Sequence, residues 1–311
     1  MLALALMPAL LLSAETVWIQ KTDGSRVEGT TNAKSISFGG RDVPLAQVLS
    51  LHTGNPATEL EKSRIAAAIA DVQGTDRAKR DQAVEDLTVL GIAAITPLLE
   101  AYKDTDQHEP RPLYRLFERV IPSNADQFNR EQSLLRRKGG ALERGVVSGD
   151  STIVVDGKSI ALRDIRMLAV RQKVVERNAV PVHSLKHSTQ IEYLDTGVIA
   201  SATSMLDATA TGFARLSFKE DGWASDPNGL TKPGSPAYKS HLWDGQPFGA
   251  LVARVGSAGE VYFVGKQHRK TVPKAGRLQL AINDNRHWQN NLGTYTVTLK
   301  VTDAYDVGAA Q

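Results

Sequence analysis

Apolar residues along this chain recur with two different periods, and the switches between them divide it. Residues 17–51, VWIQKTDGSRVEGTTNAKSISFGGRDVPLAQVLSL, alternate apolar and polar (Val17, Ile19; Ile36, Phe38) and are cut by Asp-Gly and Gly-Gly. That is the period and punctuation of a β-meander. Residues 134–168, LLRRKGGALERGVVSGDSTIVVDGKSIALRDIRML, repeat it with a one-residue insertion: Gly24 matches Gly140, Gly29 matches Gly145, Leu45 matches Leu162, Val48 matches Ile165 and Leu51 matches Leu168. A unit this short cannot bury an apolar face alone. The repeat therefore predicts that the two copies pack as a pair, with Leu45, Val48, Leu51, Leu162, Ile165 and Leu168 inside.

Between the copies, residues 58–121 take the helical period, with Ile65, Ile69 and Val72 on one face and Ala83, Leu87 and Leu90 on the next. Gly91 is expected to stop one helix and Pro97 to start another. The stretch RDQAVEDLTVLGIAAITPLLEAYKDTDQHEPRPLYRLFERVI places A-x-x-x-L-x-x-L-G-x-x-A-x-x-x-L before an Asp-rich turn. It resembles a HEAT-type helical hairpin, which implies a packed insert or a surface for a protein partner. From about residue 184 to Val301 short alternating runs and glycine-rich turns return, the pattern of a β-sandwich. Trp223 and Phe248, at strand edges beside turn residues, are expected in its core.

The fold class expected is mainly β with a helical insert: a C-terminal β-sandwich, preceded by a pair of small β modules flanking a HEAT-like α segment. The expected division is 1–14 signal peptide, 15–54 first β module, 55–131 helical segment, 132–172 second β module, 173–183 linker, 184–303 sandwich and 304–311 frayed tail.

Composition narrows the function classes. With 311 residues, 41% hydrophobic and 23% charged, the chain is neither disordered nor a polytopic membrane protein. A net charge of +3 is too small to indicate nucleic acid as partner. The chain has no cysteine, which excludes disulfides, thiolate metal sites and a cysteine nucleophile. Residues 2–12 are apolar apart from Pro8 and are followed by Ser13 and Ala14. This is the core of a signal peptide, too short to span a bilayer. The chain is expected to be exported, to the periplasm, the cell surface or the extracellular space.

The chemistry is concentrated near the C-terminus. Residues 222–225 (GWAS), 249–252 (GALV) and 276–299 (GRLQLAINDNRHWQNNLGTYTVTL) follow one another in that order. Together they resemble the bacterial calcium-dependent galactophilic lectin (PA-IL-like, galactose-binding-like) family, and DTGVIASATSMLDATATG (195–212) fits the opening strands of the wider lectin-like family, so the resemblance implies a C-terminal lectin-like β-sandwich. The resemblance covers roughly residues 190–301. Calcium prefers six to eight hard oxygen ligands, and an Asp and two adjacent Asn flanking a short loop supply them from both ends. Carried over by position, the resemblance implies Asp284, Asn290 and Asn291 as side-chain ligands, with the carbonyls of Asp226 and His287 completing the shell. In that family the sugar coordinates the same ion. Asn285 and the Asn290 amide are then available for sugar hydrogen bonds, and Trp288 offers an aromatic face to a pyranose ring. The loop from Asp284 to Asn290 is one residue shorter than in those lectins, and their His-Pro-x-x-Gln stretch is absent. The resemblance therefore implies Ca2+ and a carbohydrate or glycoconjugate, and leaves galactose specificity behind.

Other constellations have plain structural readings. His183 and His187 have the spacing of a helical zinc pair but follow Pro181 in a strand context, which makes them two exposed histidines. Asp104-Thr-Asp106 resembles the start of an EF-hand loop that lacks its glycine. Arg136-Arg137-Lys138 and KQHRK (266–270) are basic enough for polyanions, or are solvated loops. Carboxylates at Glu192, Asp195, Asp226, Asp244 or Asp284 could form a glycosidase pair only by converging in space. There is no G-x-S-x-G, phosphate-binding glycine loop or H-E-x-x-H. The expected function is a non-catalytic, exported, calcium-dependent carbohydrate-binding protein, able to form homo-oligomers. The alternatives are a structural or protein–protein interaction module that kept the lectin fold without ion or sugar, and, third, a glycoside hydrolase.

Overall fold

The computed structural model describes residues 14–54, 56–103, 132–140, 142–148, 151–189, 192–216, 224–230, 246–284 and 291–308. The first β copy comprises β1 (Glu15–Lys21), β2 (Arg26–Thr31), the hairpin β3 (Ser35–Phe38) and β4 (Arg41–Pro44), a single 3-10 turn at Leu45–Gln47, and β5 (Val48–His52). The second repeats it element by element: β6 (Ser133–Arg137), β7 (Leu142–Gly145), β8 (Thr152–Val155), β9 (Lys158–Ala161), a 3-10 turn at Leu162–Asp164, and the first residues of β10 (Ile165–His183). The signal-peptide segment lies outside the described residues apart from Ala14.

The copies exchange strands. Ile19 of β1 lies opposite Leu168 of β10, Leu135 of β6 opposite Leu51 of β5, and Leu51 opposite Leu168. The sheet therefore runs β2-β1-β10-β5-β6-β7, with a pseudo-twofold between its two central strands. The hairpins cross over in the same reciprocal way: Gly39 N donates to Val146 O and Asp156 N to Thr30 O, both at 2.9 Å. This explains the matched glycines. A Cβ on Gly29 would lie 2.2 Å from Asp156 Oδ2, and one on Gly145 would lie 2.9 Å from the Phe38 ring. The hairpin tips, Gly39-Gly40 and Asp156-Gly157, all have positive φ, as a two-residue turn joining twisted strands requires. All six residues expected inside the pair are buried in one shared core with Val17, Ile19, Phe38 and Leu135. Each such leucine contributes about 2 kcal/mol by leaving water.

Helices α1 (Glu59–Gln73), α2 (Arg77–Leu90) and α3 (Ile92–Lys103) fill the interval between copies. A capping box joins Thr58 to Glu61 at the start of α1, and the Asp76 side chain caps α2. Ile65, Ile69, Val72, Ala83, Leu87 and Leu90 share a core with Ala94, Ile95 and Leu98. Gly91 ends α2 with φ +51, as expected. Pro97 does not start a helix. It sits inside α3, which begins at Ile92, because the apolar face carrying Ala94, Ile95 and Leu98 outweighs one backbone hydrogen bond lost at proline. The second arm of the expected HEAT-type hairpin, with the Asp104–Asp106 turn, lies outside the described residues. No helix among them is long and apolar enough to cross a membrane.

Two expected boundaries are corrected. Residues 173–183 are not a linker: β10 continues unbroken from the module core to His183 and pairs with β19 (Leu292–Asp306) from Arg171 to the end. Val175 and Val182, an odd seven residues apart, both point inward because β10 carries a bulge between Arg177 and Val180, where Ala179 has φ +54, while Val174 and Glu176 face solvent. Residues 304–307 are not a frayed tail either, since β19 runs to Asp306 and both Tyr305 and Val307 are buried.

The remaining strands are β11 (Leu194–Ala200), β12 (Met205–Arg215), β13 (Ala224–Asp226), β14 (Gly229–Leu230), β15 (Leu251–Val255), β16 (Tyr262–Phe263), β17 (Gln267–Thr271) and β18 (Gly276–Ile282). One layer runs β10-β19-β12-β17 and the other β11-β18-β15-β16. They join where β19, past Asp303 (φ +49), pairs with β11. Alternate residues of β12, β15, β18 and β19 form one core between the layers, and Phe248 is 3% exposed within it. Trp223 lies outside the described residues.

Helices, modules and sandwich meet at one end of the sandwich. Trp18, Met167, Ala169, Ile199, Tyr305 and Val307 form an apolar seam there. Beside it the fully buried Glu61 of α1 pairs with Arg166 of β10, Arg277 with Asp195 at 2.6 Å, and Arg254 with Asp81 at 2.8 Å. The Arg254 guanidinium also stacks 3.7 Å above the Tyr193 ring. His52 sits in the same seam, hydrogen-bonded to the Val307 backbone. Burial, together with the nearby Arg277 and Arg136 charges, lowers its pKa to about 4.

Candidate functional site

Strands β10, β18 and β19 all run from the seam to the opposite end of the sandwich, roughly 40 Å along β10 at the usual rise per residue. There β18 ends in Asn283-Asp284, and β19 begins just after Asn291. Asp284 is 1% exposed, and Asn283 and Asn291 are fully buried.

Hydrogen bonds fix each of these side chains. Asn283 works as a staple: its Nδ2 donates to the carbonyls of Gln246 (2.8 Å) and Pro247 (3.1 Å), while its backbone carbonyl accepts from Gly249 N (2.7 Å). Thr189 holds the next residue, accepting from Asp284 N and donating to Asp284 O, both at 3.1 Å. Asn291 Nδ2 donates to Asp284 Oδ2 and to Ser184 O. Asn291 Oδ1 is buried with no hydrogen-bond partner among the described residues. An orphaned buried acceptor is uncommon and asks for an explanation.

Tyr295, on β19, connects this pair to Asp226. Its hydroxyl lies 2.9 Å from Asp226 O and 2.7 Å from Gly249 O. Burial raises its pKa above the ordinary phenol value, against the Ser225 hydrogen bond, and the Asp226 and Asp284 carboxylates push it further. Both carboxylates are thus close enough to act on one phenol. The Asp226 carbonyl also accepts from Ser225 Oγ at 3.0 Å, and the Asp226 carboxylate is held by Asn228 N (2.8 Å) and Lys266 (2.7 Å). A ligand role for that carbonyl would require two hydroxyls to release it.

Of the residues singled out from sequence, Asp284 and Asn291 are hydrogen-bonded to each other, and the Asp226 carbonyl lies beside the Tyr295 hydroxyl. Asn285, His287, Trp288 and Asn290 lie outside the described residues. Among the described residues no three His, Asp or Glu side chains group around a possible ion. A cation here would rest on one carboxylate and neutral oxygens. The donor set fits calcium in kind, because the carboxylate of Asp284 and the unpaired Asn291 oxygen are hard ligands. Sequence reasoning missed Thr189, Ser184 and Tyr295, whose contributions come from hydroxyls and a backbone carbonyl at turn or core positions. The alternation that puts Tyr295 inside is the single signal that pointed toward it.

The other candidates are placed as follows. His183 and His187 flank a turn and share no helix face: His183 N donates to His187 Nδ1 (3.0 Å), and His183 Nδ1 lies 2.8 Å from Thr294 Oγ1. Both are half-buried, where exposure was expected. Arg137 is engaged by Glu143 at 3.1 Å. Asp195 is committed to Arg277 in the seam, away from Asp284, and Asp244 lies outside the described residues.

No protein-family model and no curated protein sequence matches the chain. Among solved structures the chain is similar to one described as the EclA N-terminal domain, a PllA-like lectin, with 25% identity, 41% of this chain and 96% of that chain covered, and a TM-score of 0.32.

Proposed function

We propose that the sandwich is a carbohydrate-binding module whose sugar site is organised by a calcium ion at Asp284 and Asn291, in a chain that is exported and non-catalytic. The observation that carries this reading is the unpaired, fully buried Asn291 Oδ1 beside the buried Asp284 carboxylate. A cation gives the amide oxygen, which has no partner among the described residues, a positive charge to bind beside a carboxylate. The motif resemblance of residues 276–299 supplies the rest: Asn290 and the His287 carbonyl as further ligands, Asn285 and Asn290 as sugar hydrogen-bond partners, and Trp288 as a stacking face. Calcium held by a single formal charge binds weakly, since affinity rises with ligand charge count. The bound sugar's hydroxyls complete the coordination shell.

The test is binding of the full chain to an array of neutral oligosaccharides, with calcium and then with chelator. Binding that disappears with chelator and is weakened by Asn285→Ala supports the reading. No binding in either condition would leave the sandwich as a structural or protein-interaction module, and binding that survives chelator would remove the ion from the site.

A further inference from the structure

The sandwich has a second concave surface, apart from Asp284 and Asn291. Among the described strands, β17 pairs only with β12 and β16 only with β15, so each leaves an edge open. Between these edges lies a groove of about 500 Å³, lined by Gln246, Tyr262, Phe263, His268, Arg269 and Lys270 with Glu260 as its acidic member. That volume is within the range of small-ligand sites. The His268 ring bridges the two strands: it is hydrogen-bonded to the Phe263 backbone, and its centroid lies 5.6 Å from that of Tyr262 at a 36° tilt. The Tyr262 hydroxyl is buried and has no hydrogen-bond partner among the described residues. Charge is one-sided along the strand. Residues 266–274 contain Lys266, Arg269, Lys270 and Lys274 and no carboxylate. Lys266 is held by Asp226 at 2.7 Å, whereas Arg269 is 75% exposed and only 3.9 Å from Asp207.

We propose that this groove binds an acidic oligosaccharide, with sugar rings lying on Tyr262 and His268 and an anionic substituent meeting Arg269 and Lys270. Aromatic side chains present a flat apolar face to the C–H face of a pyranose while their polar tips bond hydroxyls. Arginine and lysine recognise carboxylate or sulfate by charge-assisted hydrogen bonds. An acidic peptide added to the open edge of β17 would use backbone groups and leave the Tyr262 and His268 rings uncovered, so the saccharide accounts for more of what is there. The site needs no metal and goes beyond the calcium-centred reading.

The experiment is calorimetry on the full chain in EDTA at low salt, with tetra-galacturonate as probe, the matching neutral tetrasaccharide as control and a polyglutamate of equal charge as competitor. EDTA removes calcium, so the result is independent of the ion site. Tetra-galacturonate is expected to bind and the neutral sugar is not. The double variant R269Q/K270Q is expected to lose about tenfold or more in affinity, and His268→Ala, which removes one ring, roughly fivefold. Asp284→Asn should leave the affinity unchanged. Melting curves matching the parent show that the variants are folded. Absence of binding, displacement by polyglutamate at equal concentration, or loss confined to Asp284→Asn would overturn the proposal.

Discussion

At the end of the sandwich that meets the modules and helices, buried carboxylates face guanidinium groups from elsewhere in the chain: Glu61 faces Arg166, and Asp195 faces Arg277. At the opposite end the buried Asp284 lies against the amide of Asn291, whose oxygen is left without a partner. The seam has its own unpaired atom, Arg277 Nε, but it belongs to a group already bonded to a carboxylate through another arm. The contrast is between a junction where each buried carboxylate meets a guanidinium and a loop pair where one buried amide oxygen has no partner among the described residues. The first fixes three bodies together, and the second has the chemistry of a ligand site.

The comparison can be broken most severely at the seam. Glu61→Ala removes the carboxylate that balances the buried Arg166, leaving it the Pro56 carbonyl, and also removes the capping box of α1, so a loss of about 3–5 kcal/mol in denaturant unfolding is expected. Replacing both partners by apolar residues should recover much of it. A single variant within about 1 kcal/mol of the parent would show that the pair does not hold the bodies together.

His52 gives the next largest effect. Its folded pKa, about 4, lies below the unfolded value of 6.5, so the unfolded chain takes up a proton first as pH falls. The stability due to neutral His52 is complete above the unfolded pKa and is lost as pH drops toward the folded one. The loss amounts to at most roughly 3 kcal/mol between these two values. His52→Gln keeps a donor for Val307 and should flatten this part of the pH–stability curve. An unchanged slope would place the titration elsewhere.

Within the modules, Gly29→Ala is expected to cost about 1–3 kcal/mol and Gly145→Ala less. The first Cβ would meet the Asp156 carboxylate and Val155, and the second would come 2.9 Å from a phenyl ring. Thermal midpoints of both variants equal to the parent's would contradict the reciprocal packing. The smallest effect is expected at the far end, where Asp284→Asn measured in chelator should change stability by about 1 kcal/mol or less, since it keeps the side-chain shape. A larger loss would make Asp284 a structural residue like Glu61.

Much of this architecture is readable from the chain. The spacing shared by residues 17–51 and 134–168 identified the pair and its six core residues, because an apolar face too small to stand alone must meet its like. The spacing could not say that the copies trade strands, since matched positions name equivalents and not neighbours. The stretch 173–183 reads as a linker because Lys173, Glu176, Arg177 and Asn178 are polar, yet a strand with one face in water needs only Val175 and Val182 inside. At the candidate site, Asp284 and Asn291 were legible as a motif. Thr189, Ser184 and Tyr295 were not, because one hydroxyl or carbonyl from each acts across 69 to 107 residues of sequence.

The most direct test of the ion site is a calcium titration of the full chain followed by thermal unfolding, in parallel with Asp284→Asn. An ion that binds only the folded state stabilises it by mass action. The account predicts that millimolar calcium raises the unfolding temperature of the parent relative to chelator and leaves Asp284→Asn unmoved. A parent that does not respond, or a variant that responds as the parent does, would contradict it.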